Sequence, residues 1–169
     1  MNQIISEYQD MHVCMVAYAF YESDNRVRRY AETLIKLGCH VDVLAIRKPG
    51  QNKKEMIKGV EVYRIQERRI DERNRLSYLY RLIKFLLKSF CWLSYHHMKK
   101  NFRIIHVHSV PDFEVFSTIL PKLMNAKIIL DIHDIVPEFY ADKFKVDFDH
   151  PVVKILRIIE RICCSYADH

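Results

Sequence analysis

Two stretches decide the fold of this chain: Arg103-Ile-Ile-His-Val-His-Ser-Val-Pro-Asp112 and Lys127-Ile-Ile-Leu-Asp-Ile-His-Asp134-Ile-Val-Pro-Glu138. Each contains a short, continuous apolar run rich in β-branched residues, which predicts a strand covered on both faces of a parallel sheet. Ligands of open α/β sheets bind beyond the carboxyl ends of the strands. We therefore expect a site where the two runs end, drawn from His106, His108, Ser109, Asp131, His133 and Asp134.

The rest of the chain alternates between strands and helices. Further strands are predicted at 12–18, 41–46 and 60–65, the last as a half-exposed edge strand because its apolar and polar residues alternate. Helices are predicted from the N-cap candidates Ser23 and Asp24 to Gly38, and at 75–100, 112–124 and 151–166, with a kink or early end at Pro121. Residues 48–58, 66–75 and the stretch after Asp134 are predicted loops. This order predicts an α/β fold with a doubly wound, Rossmann-like parallel sheet.

The composition bounds the class of protein. With 169 residues, 50% of them hydrophobic, the chain is expected to form one globular domain over residues 1–169. The net charge of +6 comes from basic residues gathered in 64–81 and 84–103, which predicts either an acidic partner or a solvated basic face. The five cysteines lack Cys-x-x-Cys spacing, and no segment has the pattern of a signal peptide or a spanning helix. We therefore expect a cytoplasmic protein without a disulfide framework.

The turn after the first strand, residues 19–28, contains no glycine. A dinucleotide fold would place its Gly-x-Gly-x-x-Gly motif here, so NAD binding is disfavoured. The start of the following helix, with Asn25, Arg26 and Arg28 nearby, could hold an anionic group through backbone N–H groups and guanidinium side chains. A capped helix with solvated arginines is the alternative.

The histidines are open to several interpretations. His106 and His108 lie two residues apart on a strand and therefore point to one face, where Asp131 and His133 could complete a metal site. A core role for His106 and a ligand contact for His108 are the preferred interpretation, so no metal is expected. His133 is the stronger candidate for chemistry, because it can donate and accept a proton near neutral pH. Glu138 either lines the same crevice or caps a helix.

Several segments together resemble one family. They are 24–32, Gly38-Cys-His-Val-Asp-Val-Leu44, Gly59-Val-Glu-Val-Tyr-Arg-Ile65, His106-Val-His-Ser-Val-Pro-Asp112, and Leu130-Asp-Ile-His-Asp134 with Pro137-Glu138. In this order, from about residue 12 to residue 168, they are similar to the amino-terminal half of family 4 glycosyltransferases. The resemblance implies one half of a GT-B architecture, in which this half binds the acceptor and a second Rossmann-like half binds a nucleotide-sugar.

The resemblance also implies roles for individual residues. His133 would contact the reacting sugar and stabilise the transition state of a retaining transfer. The acceptor pocket would be formed by Asp24, Asn25, Arg26, His108, Ser109, Asp112, Asp134 and Glu138. The expected partners are a glycan or lipid-linked acceptor of polysaccharide or glycolipid synthesis and a donor-binding carboxyl-terminal domain, in cis or in trans, but not nucleic acid. The nucleotide-sugar would be a co-substrate bound mainly by that other domain, and no cofactor or metal is expected.

Two departures from the family pattern matter. Many members have a Gly-Gly pair in the first loop, where this chain has residues 23–26, and the donor-binding half is not contained in these 169 residues. The chain alone is therefore expected to be inactive. A non-catalytic module that docks on a membrane or a partner is the main alternative, and a metal hydrolase is a more distant one.

The helix predicted at 75–100 bears on that alternative. Its apolar residues at 76, 79, 83, 86, 90 and 93 are expected to face the core, yet the helix is apolar around most of its circumference. Leu79, Leu82, Phe85, Leu86 and Trp92 exceed what one core-facing stripe requires. The basic residues that could meet lipid phosphates are Arg81, Lys84, Lys88, Lys99 and Lys100, which predicts a peripheral position at the inner face of the cell membrane. Burial on two sides, against the sheet and a neighbouring helix, is the competing explanation.

Overall fold

The computed structural model describes residues 8–68, 75–109, 111–132 and 136–169. Its elements, in chain order, are β1 (His12–Phe20), α1 (Asn25–Lys36), β2 (His40–Arg47), β3 (Lys54–Ile57), β4 (Val60–Glu67), α2 (Arg75–Lys100), β5 (Ile104–His108), a 3₁₀ helix (Asp112–Thr118), α3 (Ile119–Leu123), β6 (Lys127–Asp131), α4 (Val136–Phe144) and α5 (Pro151–Tyr166). The strands form one sheet in the order β3-β4-β2-β1-β5-β6, in which every pair except β3 with β4 is parallel. The predicted doubly wound parallel sheet is confirmed.

Helices cover the two faces of the sheet unequally. On one face α1 buries Val27 and Ala31 against alternate residues of β1, β2 and β4. On the other face α2, the 3₁₀ helix and α5 pack over β1, β5 and β6, where Phe85 and Leu93 are fully buried. Each such side chain contributes roughly 1.5–3 kcal/mol through the apolar surface it removes from water. The larger hydrophobic core therefore lies on the α2 side of the sheet, and α1 covers the opposite face, where it can position a site.

Helix α1 begins and ends where the sequence predicts. The Asp24 carboxylate accepts hydrogen bonds from the backbone N–H groups of Arg26 and Val27, both at 3.1 Å, as an N-cap residue does. Gly38 follows the helix with a φ of +90°, a conformation that only glycine adopts without strain.

The predicted edge strand is wrong. Residues 48–58 were expected to be a loop, but β3 forms within them and pairs antiparallel to β4, so β4 is an interior strand. Lys58 and Gly59 join the two strands with positive φ angles of 49° and 86°, as a type I′ hairpin turn requires. The residues of β3 are mostly exposed and polar, as is usual for a protected edge, and therefore lack the apolar alternation that signals a strand.

Burial along β4 also differs from the expectation of a solvated basic segment. Arg64 has a completely buried side chain, which forms a salt bridge with Glu55 at 2.8 Å and another with Glu22. Glu22 lies in the turn between β1 and α1, so this pair of contacts ties the turn to the far side of the sheet.

Three helical predictions need correction. Residues 112–124 form a 3₁₀ helix and then the short α3, whose Pro121 sits near the helix start, where its missing N–H costs little. Helix α4 lies in a stretch predicted as a loop. Helix α2 has the predicted bounds, and Leu93 is buried as expected. The rest of the buried face differs: it contains Leu82, Phe85, Ser89 and His97, whereas Leu79, Ile83 and Phe90 are exposed.

Candidate functional site

A cleft of about 880 Å³ opens at the carboxyl ends of β1 and β2. The last residues of β1, the turn after it and the first turns of α1 form most of its wall. The residues from the turn and the helix are Ser23, Asp24, Asn25, Arg26, Arg29 and Tyr30. This is the end of a parallel sheet at which α/β proteins bind their ligands, and it contains three of the predicted site residues, namely Asp24, Asn25 and Arg26.

The turn that borders the cleft holds its shape without glycine. None of residues 19–24, all of which the structure describes, has a positive φ angle. Ser23 donates a hydrogen bond from its hydroxyl to the carbonyl of Phe20 at 3.1 Å, and Arg28 donates to the carbonyl of Glu22 at 3.1 Å. Because one Asp24 oxygen accepts two backbone N–H groups, Asp24 shapes the helix start as well as lining the cleft.

The cleft is positively charged. Arg26 and Arg29 project from α1, and Arg68 follows β4 on the opposite side. The Arg68 guanidinium lies 5.1 Å from the ring centroid of Tyr18 and 5.6 Å from that of Tyr78, so two aromatic faces hold it in place. Three guanidinium groups around one opening suit an anionic ligand such as a phosphate.

Beside this cleft, β5 and β6 bring two histidines and a carboxylate together. His108 lies opposite Asp131 in the parallel register, with 3.3 Å between its Nδ1 and the Asp131 Oδ2. His106, two residues earlier on β5, reaches the same oxygen with its Nε2 at 3.6 Å. The Tyr30 ring packs against both imidazoles at centroid distances of 5.4 and 6.0 Å, which links this cluster to the cleft.

Burial keeps both imidazoles neutral. It lowers the pKa of His108 to about 3, assisted by the nearby charges of His106 and Arg26. It also lowers the pKa of His106, although Asp131 opposes that effect. Neutral imidazole both donates and accepts hydrogen bonds. Only His106 and Asp131 of this cluster are partly exposed, whereas His108 is 3% exposed, and none of the three is among the described residues that line the cleft.

The same three residues could hold a metal ion, since one ligand atom from each lies within 4.8 Å of the others. The separations of 3.3 and 3.6 Å are also accounted for by contacts between neutral imidazoles and a carboxylate. Arg26 acts electrostatically on His108 and would oppose a bound cation. That no metal is required stays a prediction.

Ser109 and Asp112 lie apart from the cleft. Both are buried, and burial raises the pKa of Asp112, while a hydrogen bond from Ser109 opposes the rise. The Ser109 backbone N–H donates to the carbonyl of Asp131 at 3.0 Å, which ties the end of β5 to the end of β6. Ser109 therefore helps to hold the ends of β5 and β6 together, and neither Ser109 nor Asp112 is among the described residues that line the cleft.

The other predicted residues are placed as follows. Glu138 lies in the first turn of α4 and pairs with Arg157 of α5 at 3.4 Å, and it is not among the described residues that line the cleft. His133 and Asp134, the predicted catalytic residue and its neighbour, lie outside the described residues. The last described residue before them, Ile132, directly follows β6.

Tyr30 is the residue that sequence reasoning missed. Its spacing fits the apolar face of α1, but its side chain is 39% exposed and lies between the cleft and the two histidines. A usable signal was present, because Tyr30 follows Arg26 by four residues and therefore shares its side of the helix.

Comparisons with known proteins agree with this geometry. The family model for a glycosyl transferase 4-like domain matches residues 23–169. No curated protein matches the chain in sequence. Within the part of the chain that the structure describes, no helix combines the length and the apolar character needed to cross a membrane.

Among solved structures, sucrose-phosphate synthase from Thermosynechococcus elongatus is similar, with a TM-score of 0.68 and 15% sequence identity. The match covers 94% of this chain and 41% of that protein. A second structure of this synthase has a TM-score of 0.53 at 19% identity, and the match covers 73% of this chain and 64% of that one. The C-terminal domain of a hydrogenase from Pyrococcus furiosus has a TM-score of 0.50 at 9% identity, covering 75% and 92%. At these identities the structures show the fold alone, and it is the family model that identifies the chain: it belongs to the glycosyl transferase 4-like domain family.

Proposed function

We propose that this domain is the acceptor-binding half of a retaining glycosyltransferase, which moves a sugar from a nucleotide-sugar to a glycan or glycolipid acceptor. The observation that supports this most strongly is the coincidence of two facts. The family model spans residues 23–169, and that span contains most of the lining of a positively charged cleft at the carboxyl ends of the strands, including all three of its arginines.

The chemistry of the cleft suits an acceptor of this kind. Arg26, Arg29 and Arg68 can bind a phosphate, such as the one that joins a lipid carrier to its sugar. Beside the cleft, the partly exposed His106 and Asp131 can bind sugar hydroxyls, and the buried His108 lies against the Asp131 carboxylate. Tyr30 connects the two regions and offers an aromatic face to a sugar ring.

A donor-binding domain, in cis or in trans, would complete the site. The chain spans 41% of the length of the sucrose-phosphate synthase structure that it matches, and its turn at 19–24 lacks the glycines that let a backbone approach a pyrophosphate. The family resemblance assigns His133 to the reacting sugar, close to where the two domains would meet. In this arrangement no cofactor or metal is required, because basic side chains and a helix N-terminus of the donor-binding domain would stabilise the charge that develops on the leaving nucleoside diphosphate.

Titration of the ¹⁵N-labelled chain by nuclear magnetic resonance tests the acceptor assignment. We expect short glycans bearing a phosphate to shift the amide signals of 22–30 and 106–109, and uridine- and guanosine-diphosphate sugars to bind more weakly. Arg26→Gln should weaken binding of the phosphate-bearing glycans. Arg103→Gln is the matched control, because Arg103 is exposed at the opposite end of β5. Saturable binding of a nucleotide-sugar, with no response to any glycan, would assign the cleft to the donor instead.

A further inference from the structure

The outward face of α2 is apolar along its whole length. Tyr80, Leu87 and Met98 are the most exposed of its apolar residues, at 64%, 59% and 63%. Leu79, Ile83, Phe90 and Tyr95 are also exposed. At 1.5 Å per residue the 26-residue helix is about 39 Å long, so this face is an extended stripe and not an isolated patch. Exposed apolar stripes of this size usually mark an interaction surface.

The core does not account for this stripe. The side of α2 that packs on the sheet contains Leu82, Phe85 and Leu93, which are buried. A shallow groove of about 680 Å³ runs beside the exposed stripe, between Ile65 of β4 and the outer residues Ile83 and Leu87. Helix α2 does pack on two sides, against the sheet and against the 3₁₀ helix and α3, as the competing explanation expects, and Leu82 and Phe85 therefore belong to the core. The outer stripe nevertheless remains exposed within the part of the chain that the structure describes.

The charges of α2 are all of one sign. The sequence Arg75–Lys100 contains six lysines and arginines and no aspartate or glutamate. By helical position, Arg81, Lys84, Lys88 and Lys99 lie along one edge of the apolar stripe. Lys84 and Lys88 border the groove, and Lys88 reaches across it to donate a hydrogen bond to the carbonyl of Ile65 at 2.9 Å. Aromatic residues that can sit at a lipid headgroup layer, Tyr80 and Tyr95, occur near the two ends.

We propose that α2 lies flat on an anionic lipid surface, with its apolar stripe in the headgroup layer and its lysines against lipid phosphates. This combination of an apolar face, a basic edge and a helix that does not span is typical of interfacial helices. A second copy of the chain is a poorer occupant, because a two-fold pairing through this face would bring the basic edges of two α2 helices together.

This surface lies close to the candidate site. Tyr78, near the start of α2, contacts Tyr18 of the cleft with 6.5 Å between ring centroids, and the Arg68 guanidinium lies over both rings. A membrane under α2 would therefore put the cleft beside the lipid surface. The consequence that the acceptor is lipid-linked rests on the proposed function, whereas the docking itself does not.

Vesicle binding tests the docking directly. Trp92, the single tryptophan of the chain, lines the groove and reports on it through its fluorescence. With vesicles of phosphatidylcholine and phosphatidylglycerol in a 7:3 ratio, about 30% anionic lipid, we expect co-sedimentation and a blue shift of the emission. Binding should weaken steeply from low to high salt, and pure phosphatidylcholine vesicles should bind far less.

Two variants and one control separate the contributions. Lys84→Glu with Lys88→Glu should weaken binding by at least about tenfold, since each basic residue near an anionic surface contributes about 1 kcal/mol. Leu87→Gln with Met98→Gln should also weaken it without lowering the melting temperature, because both side chains are exposed. Lys36→Glu with Lys58→Glu changes the net charge equally, on the α1 side, and should bind as the wild type does.

Three results would overturn the proposal: equal binding to neutral vesicles, no binding at low salt, or a salt-stable dimer in light scattering that the Leu87 and Met98 substitutions dissociate. The first would indicate unspecific apolar adhesion, and the last would assign the face to a second copy. None of these measurements depends on sugar transfer. A chain that binds vesicles but no glycan would refute the proposed function and leave the docking intact.

Discussion

The cleft at the carboxyl ends of the strands and the outer face of α2 place polar and apolar residues in opposite ways. In the cleft, Arg68 lies between two aromatic rings, and the Asp131 carboxylate lies within 3.6 Å of two imidazoles. Along α2, exposed leucine, isoleucine and phenylalanine side chains face outward while Ser89 and His97 are buried. The cleft therefore contains groups that can bind and react, whereas the outer face of α2 contains exposed apolar side chains that a partner surface would bury.

This difference indicates that the cleft and the outer face of α2 have different roles in the protein. Groups in the cleft should affect ligand binding and turnover, whereas residues on the outer face of α2 should affect only where the protein is located. Substitutions in one region should therefore leave the property of the other unchanged.

The largest expected effect concerns His133. In a chimera that joins this chain to the donor-binding half of a family member, His133→Ala should lower turnover by about 100-fold, because the loss of one transition-state contact costs on the order of 3 kcal/mol. Vesicle binding should not change. His40→Ala serves as the control, since His40 is exposed and lies at the start of β2, beside Asp10 and the His12 ring and away from the cleft at the carboxyl ends of the strands. Similar turnover in both variants would remove the assigned role of His133.

His106 should show the opposite balance. It is largely buried against Tyr30 and His108, so His106→Ala should destabilise the fold by about 1–2 kcal/mol, as loss of buried packing typically does. Turnover below the melting temperature should fall less than it does for His133→Ala. Melting curves and turnover rates measured on both variants test this difference between His106 and His133. Parallel losses of stability and turnover in the two would show that the division into site and supporting histidines is wrong.

A smaller effect is expected from Glu114, whose carboxyl is buried in the 3₁₀ helix on the α2 side of the sheet. Burial raises its pKa to about 8, although a hydrogen bond from Ser89 opposes the rise. Since the folded state retains this proton above the pH at which the unfolded chain releases it, the contribution of Glu114 to stability should fall as the pH rises from about 4.5 to 8 and then level off. The lowered pKa of His108 acts in the opposite direction below about pH 6.5.

Glu114→Gln should remove this dependence and raise the melting temperature by a few degrees above pH 8, roughly what 1 kcal/mol gives in a domain of this size. Asp149→Asn is the control, because that side chain is 94% exposed. Glycan and vesicle binding should be unchanged in both, since Glu114 belongs to neither surface. The same pH dependence of stability in the wild type and in Glu114→Gln between pH 5 and 8 would show that Glu114 is ionised in the folded protein.

Sequence patterns predicted the sheet because its strands are apolar and its helices are periodic. The limits of α2 and α5 and the cap at Asp24 followed from the same patterns. Strand β3 was missed because an exposed edge strand has no apolar face, and β4 was misplaced in consequence. The buried face of α2 was misassigned because the helix is apolar almost all round, so that periodicity alone cannot choose a side.

The candidate site was only partly predictable. The ends of β5 and β6 were expected to form it, and the parallel register of these strands brings His108 against Asp131 there. The cleft lies instead at the ends of β1 and β2, and three of the predicted residues, Asp24, Asn25 and Arg26, are among the described residues that line it. Ser109 and Asp112 are buried, which no local pattern reveals. Tyr30 was missed because a tyrosine at helical spacing usually belongs to the core.

The central claim is that this domain supplies one half of a glycosyltransferase site, and sugar transfer by the 169 residues alone tests it most directly. The assay would combine radiolabelled nucleotide-sugars with an extract of bacterial lipids, and would compare the isolated chain with the chimera that contains a donor-binding half. We predict no transfer by the isolated chain and transfer by the chimera, because positioning between two halves supplies many orders of magnitude in rate. Turnover by the isolated chain, abolished by His133→Ala, would contradict the account.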